Sequence, residues 1–211
     1  MEVTIEHEHS LHTLLAWAKD EPPGTEFTVV RISSGGLWAS GTGLGTDPMP
    51  YRVDYELATD ADFVTTRLGL TTVGAGWRRT LDLSRAPSGE WCARTTTDGE
   101  SALPPPGGDT GSFGDALDPD VELSPLFNSL PVLRHRLHEA GGSVDLSMVW
   151  VSLPALQVQR SRQRYSHLGR VAEGRVVRFD SLDDAFTAEI VLDDDGLVVE
   201  YPGIGRRLSR R

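Results

Sequence analysis

Along most of the chain, apolar and polar residues alternate in short runs broken by turns containing glycine or proline. Residues 27–32 (Phe-Thr-Val-Val-Arg-Ile) are rich in β-branched side chains and end at Ser33-Ser34-Gly35-Gly36, before a second run at 37–40. In 51–57 the alternation places Tyr51, Val53, Tyr55 and Leu57 on one face. Residues 63–73 alternate again, Gly74-Ala75-Gly76 turns the chain into 77–83, and Pro87-Ser88-Gly89 turns it back into 90–94. These runs are too short, and too polar on one side, for buried parallel strands, so they predict an antiparallel meander. A later series does the same: 143–153, then 156–165, then 175–179, 186–192 and 197–201, with Asp195-Gly196 as a tight-turn signal. In 156–165, Arg160, Arg162 and Arg164 share a face at the strand period of two. Two segments stay open between strand and helix, 10–19 and 132–138.

The stretch 113–134 separates these two series. Pro119, Pro125 and Pro131 restrict the backbone, and Ser124-Pro125 reads as the cap and first residue of one helical turn. Its leucines, with Val121 and Phe127, are too apolar for a solvated linker, so it reads as a buried or half-buried crossover docking one half on the other. An ordinary surface loop is the alternative. The halves, about 14–100 and 113–208, echo each other: a strand, an acidic turn, a long strand, a glycine turn, then Glu90-Trp91 or Glu200-Tyr201. The segment 98–111, with Pro104-Pro105-Pro106 and Gly107-Gly108, is expected to be a flexible loop within one domain. The fold class expected is all-β, mainly antiparallel, with about one short α-helix.

Charge and composition narrow the function. A formal charge of −11 argues against nonspecific nucleic-acid binding and against an anionic bilayer. The single cysteine, Cys92, forbids an internal disulfide and suits a reducing compartment. No secretion signal and no apolar run of transmembrane length is visible, so a soluble cytoplasmic protein is expected. The spacing His7-x-His9-x-x-His12 could hold a metal, but no further ligand pattern accompanies it. Gly41-Thr42-Gly43-Leu44-Gly45 lacks the Lys-Ser/Thr of a phosphate loop and reads as strand or turn. No Gly-x-Ser-x-Gly elbow is present, and Cys92 has no evident catalytic partner.

Several motifs nevertheless coincide with one pattern. They are Gly41 to Gly45 leading to Pro50-Tyr51-Arg52-Val53-Asp54-Tyr55, Trp77 to Leu83, Gly89-Glu90-Trp91, Ser124-Pro125-Leu126-Phe127-Asn128-Ser129-Leu130-Pro131, Gln163-Arg164-Tyr165, and Asp195 to Pro202. Together they resemble the bacterial putative glycolipid-binding family over about residues 14–208, and the Ser-Pro-x-x-Asn-x-x-Pro core carries most of the resemblance. The chain departs from that pattern at Leu126 and Ser129. The resemblance implies a split, half-open β-barrel similar in shape to lipoprotein-localisation factors. It also implies a non-catalytic protein that binds a glycolipid or fatty-acyl ligand.

A curved sheet that does not close leaves a concave face suited to acyl chains. Its wall is expected from Val53, Tyr55, Leu81, Leu83, Trp150, Phe186 and Ile190. Arg160, Arg162, Arg164, Arg206 and Arg207 could offer bidentate contacts to a phosphate or sulfate, and Trp91 and Tyr201 could stack on sugar rings. The same apolar faces could instead pack together and fill the barrel, with the arginines paired to surface acids. The candidate ligand-binding set is Tyr55, Trp91, Asn128, Trp150, Arg160, Arg162, Arg164, Tyr165 and Tyr201. No cofactor, metal, nucleic-acid partner or stable membrane insertion is expected. The alternatives are an enzyme using His135 and His138 near Asp118 and Asp120, or an interaction module with a filled barrel.

Overall fold

The computed structural model of the chain describes residues 10–208, so His7 and His9 of the histidine-rich start lie outside the described residues. The alternating runs form strands β1 (Leu11–Lys19), β2 (Gly24–Ser33), β3 (Gly36–Gly45), β4 (Tyr51–Thr59), β5 (Thr65–Gly74), β6 (Trp77–Arg85) and β7 (Trp91–Gly99). After the central stretch come β8 (Asp118–Val121), β9 (Ser143–Val151), β10 (Val158–Val171), β11 (Gly174–Ser181), β12 (Thr187–Leu192), β13 (Val198–Tyr201) and β14 (Gly205–Arg207). All belong to one sheet, ordered β7-β6-β5-β4-β3-β2-β1-β14-β13-β12-β11-β10-β9-β8. A seven-stranded meander, β1 to β7, therefore meets a second meander, β9 to β14, at β1 and β14, through the pairs Trp17–Arg207 and Ala18–Arg206 and the bond from the Leu208 amide to the Ala16 carbonyl at 2.7 Å. β8 alone runs parallel to its neighbour, β9. The sheet is not closed, which gives the mainly antiparallel, half-open barrel that the alternation implies. Near the gap, the Thr65 amide of β5 donates to the Leu117 carbonyl at 3.1 Å.

Both undecided segments resolve by tertiary context. Residues 10–19 give β1, because Leu15 and Trp17 alternate into the core. Residues 132–138 fall largely in helix α1 (Ser129–His135), entered through a 3-10 turn at Pro125–Asn128. The Ser124 side chain does not cap this turn; its hydroxyl donates instead to Glu26 at 2.7 Å.

The glycine run is strand β3, and its alternation has a packing cause. The rings of Tyr55 and Tyr51 on β4 lie across Gly41 and Gly45, where an added Cβ would come within 2.3 Å of a ring carbon. These glycines make room for the tyrosines rather than for a phosphate.

The segment 98–111, expected as a flexible loop, makes several hydrogen bonds to the rest of the chain. Arg79, 3% exposed, donates to the Leu103 carbonyl at 2.8 Å, the Ser101 hydroxyl at 2.9 Å, the Ala155 carbonyl at 3.2 Å and the Pro104 carbonyl. Gly107 exchanges amide bonds with Leu156 and Val158, at 2.8 and 3.1 Å. A buried guanidinium needs several acceptors, and carbonyls freed by the prolines supply them.

The crossover fills the concave face of the first meander. Leu126, Phe127 and Leu130 are fully buried in one cluster with Val53, Tyr55, Leu81 and Leu83, and Phe127 meets the Tyr55 ring edge-on at 5.4 Å between centroids. Those four wall residues therefore line no acyl cavity, because the chain's own leucines and phenylalanine occupy the space. Ile190 is likewise packed, in a second cluster with Tyr165, Val177, Phe179 and Tyr201. Glu26, 2% exposed, fastens the crossover: it accepts from Tyr55 Oη at 2.8 Å and Ser124 Oγ at 2.7 Å, and pairs with Lys19 Nζ at 3.2 Å.

Truncating Phe127 to Ala leaves a void at the centre of this packing. The expected loss is about 3–5 kcal/mol, read as a lowered urea midpoint with an unchanged slope.

Candidate functional site

Helix α1 and the turn after it cover part of the second meander through Val132 and Leu137, and beside them a cleft of about 640 Å³ remains. Its floor is the strip where β8, β9 and β10 run side by side. Asp120 on β8 is level with Trp150 on β9, and Trp150 pairs with Gln159 on β10. Alternation then brings Ser161 and Gln163 to the face that carries Gln159. The crossover contributes Glu122, Ser124 and Asn128. The far wall is aromatic: Phe179, Phe186 and Tyr201, with centroids 5.9 to 6.4 Å apart. Phe186 is 43% exposed, an unusual state for a phenylalanine beside an apolar cluster.

A chain of hydrogen bonds stiffens the floor. Asn128 Nδ2 donates to Tyr165 Oη at 2.8 Å, Tyr165 Oη donates to Gln163 Oε1 at 3.2 Å, and Gln163 Nε2 donates to Asp120 Oδ2 at 2.6 Å. Among the described residues the amide oxygen of Asn128 has no donor, although the residue is 3% exposed and lines the cleft. Burial pushes the Asp120 carboxyl up to about 6, against the Gln163 bond, with Glu122 adding repulsion. Burial also raises Glu122, against the bond its Oε2 accepts from the Leu153 amide at 2.7 Å. Between Glu122 and Ser124, Leu123 holds φ at +59°, a left-handed conformation that costs a leucine about 1–2 kcal/mol. That turn points Glu122 to Leu153 and Ser124 to Glu26.

Six sequence candidates are connected with this region. Asn128, Trp150, Arg160, Arg162 and Tyr201 line the cleft, and Tyr165 lies beneath it as the link between Asn128 and Gln163. Tyr55 and Trp91 lie elsewhere. Tyr55 is in the first-meander core, and Trp91 donates to the Ala116 carbonyl at 3.0 Å and packs on Phe113. Arg164 alternates away from Gln163 and pairs with Asp145 at 2.5 Å. Among the other arginines proposed for a mouth, Arg162 holds Asp183 at 2.7 Å and Arg160 reaches Ser147 at 2.7 Å and Asp115 at 3.4 Å. Arg207 is turned to Asp193 and the Val198 carbonyl, while Arg206 is exposed. The acidic and amide residues Asp120, Glu122 and Gln163 are not among the ligand contacts that the sequence suggests. Their signal, alternate polar positions on strands otherwise facing inward, is visible only once the register is known.

Of the proposed grouping of His135 and His138 with Asp118 and Asp120, only His135 and Asp118 come near each other: burial pushes the His135 imidazole down, and the Asp118 charge opposes that. Asp118 is bound by Arg134 and by Thr65 Oγ1, Asp120 by Gln163, and His138 lies against Gly196 and Glu139. Among the described residues no three His, Cys, Asp or Glu side chains are gathered as a metal site would need, and no helix is long and apolar enough to cross a membrane.

Comparison with known proteins comes to the same region of sequence space as the motifs. The family profile described as "Putative glycolipid-binding" matches residues 14–207. A crystal structure of a DUF1089-family protein from Pseudomonas aeruginosa superposes with a TM-score of 0.65 at 26% identity, covering 87% of this chain and 92% of that one. No curated protein sequence matches the chain.

The raised carboxyl makes a signed prediction. Folded Asp120 holds its proton up to about pH 6, whereas an unfolded aspartate loses it near 3.9. The folded state therefore binds more protons between these values, and stability falls as pH rises through that window. Asp120→Asn is expected to remove this decline, so that the variant gains on the wild type between pH 4 and 6 in urea titrations.

Proposed function

Because the chain belongs to the family described as "Putative glycolipid-binding", we propose that it is a non-catalytic binding protein whose ligand is a glycolipid, with the sugar seated in the cleft of the second meander. The observation that carries this reading is the division of the cleft lining. Near β8 and β10 it offers carboxylate, amide and hydroxyl groups around the Trp150 ring; at β11 to β13 it offers Phe179, Phe186 and Tyr201. Sugar recognition combines these features, since hydroxyls need acceptors and donors held at fixed positions while the apolar ring faces need an aromatic surface. An acyl stem leaving the sugar would run along the aromatic wall, where each buried methylene contributes about 0.8 kcal/mol. A volume of about 640 Å³ falls within the roughly 300–1,000 Å³ of small-molecule clefts. It suits a head group and the first part of a chain rather than two whole acyl tails.

The interior of the first meander has no part in this reading, because Leu126, Phe127 and Leu130 fill it. Nor do the arginines act as an anion clamp: Arg160 and Arg162 already hold Ser147, Asp115 and Asp183.

Calorimetry with a soluble alkyl glycoside tests the assignment. Trp150→Ala is expected to weaken binding about tenfold, the effect of losing roughly 1.4 kcal/mol of ring contact. Arg164→Ala, on the opposite face, should bind as the wild type does. Equal affinity for the Trp150 variant and the wild type would remove the sugar from this cleft.

A further inference from the structure

The charge of the cleft separates one class of sugar head group from another. Four carboxylates line it: Asp120 and Glu122 on one side, Asp183 and Asp184 on the other. The two lining arginines are outnumbered: Arg162 is paired with Asp183, and Arg160 alone faces the three other lining carboxylates. Arg162 donates through Nε and its backbone amide to Asp183 at 2.7 and 2.6 Å, and Arg160 is turned to Ser147 and Asp115. Of the ion pairs so formed, only Arg162–Asp183 cancels a lining carboxylate. Asp120, Glu122 and Asp184 form no ion pair with a described residue.

The neutral groups have the same bias. Asn128 spends its amide hydrogen on Tyr165 and leaves its oxygen without a donor. Gln163 spends its amide hydrogens on Asp120 and Ser161, at 2.6 and 3.3 Å. What remains toward the cleft is rich in acceptors. A phosphate, sulfate or carboxylate has no hydrogen to give such a surface at neutral pH and would be set beside like charges, an arrangement that costs several-fold to many-fold in affinity. A hydroxyl donates to it, and an ammonium donates with opposite charge.

We propose that the cleft is selective for donor-bearing sugar head groups, taking neutral and amine-bearing glycolipids and rejecting those with phosphate, sulfate or uronate groups. This rests on the assignment of the cleft as the sugar site. It reverses the anion-clamp role that the arginine stripe offers in sequence, because Arg162 is taken up by Asp183 within the cleft lining and Arg164 by Asp145 outside it.

Three probes with one alkyl chain test it by calorimetry at pH 7.5 and low salt: octyl glucoside, octyl glucoside 6-sulfate, and the octyl glycoside of glucosamine. The amine-bearing probe is expected to bind at least as tightly as the neutral one, and the sulfated probe at least tenfold more weakly. The double variant Glu122→Gln, Asp184→Asn should narrow the gap between neutral and sulfated probes, whatever it does to neutral binding itself. If the sulfated probe binds as well as the neutral one in the wild type, the selectivity proposed is wrong and the sugar site stands. If no probe binds, the sugar site itself falls, and the selectivity with it. The comparison among probes uses the wild-type protein, so it is decisive even where the double variant is unstable.

Discussion

A carboxylate sealed inside the first meander sets the position of most of the other elements. Glu26 has lost nearly all contact with water, and an isolated charge there would cost several kcal/mol. It is held by Lys19 from β1, Tyr55 from β4 and Ser124 from the crossover. Lys19 satisfies one carboxylate oxygen and Tyr55 with Ser124 the other, so the three are fixed around one buried group. Because Ser124 is one of them, the crossover enters the first meander at a defined depth. Leu126 and Phe127 then reach the core, and Asn128, one residue later, arrives at the edge of the second meander.

The two halves thereby become unequal. One crossover cannot fill two concave surfaces. Most of its apolar residues, Leu126, Phe127 and Leu130 among them, go to the first, Val132 alone of them joins the second cluster, and its polar residues Asp120, Glu122, Ser124 and Asn128 border the cleft of the second. The wall residues expected of a single hydrocarbon-lined barrel are real inward-facing positions, but the chain itself supplies the hydrocarbon. The open volume lies where the crossover presents oxygen and nitrogen instead. The space expected for a hydrocarbon tail is thus filled, and an open cleft with an aromatic flank lies beside it.

Much of the architecture is legible in the sequence because strand alternation is a local property. Tyr51, Val53, Tyr55 and Leu57 do share a buried face, and Asp195-Gly196 does turn β12 into β13. The crossover is legible through its prolines and its excess of leucine, and the helix within it only in part, because seven residues give too little periodicity to choose. The site is less legible, since it depends on which residues of distant strands come level. Arg160, Arg162 and Arg164 do form one face of β10, but only register with β9 and β11 shows Gln163 on the other face meeting Asp120. Trp91 and Tyr55 have the composition of sugar platforms, yet the hydrogen bonds from Trp91 to Ala116 and from Tyr55 to Glu26 bind them into the core. The proline-rich segment reads as unconstrained because its anchor, Arg79, lies 25 residues before Pro104.

The junction between the two halves is a short ladder, of two residue pairs like those of β12 with β13 and β13 with β14. β1 shares nine residue pairs with β2 but two with β14. It is reinforced by side chains reaching the same Val198 carbonyl: Trp17 Nε1 at 3.0 Å, and Arg207, whose guanidinium also lies over the Trp17 ring. The two halves are therefore joined as much by side chains, those at Val198 on one side and the Ser124–Glu26 bond of the crossover on the other, as by the sheet itself.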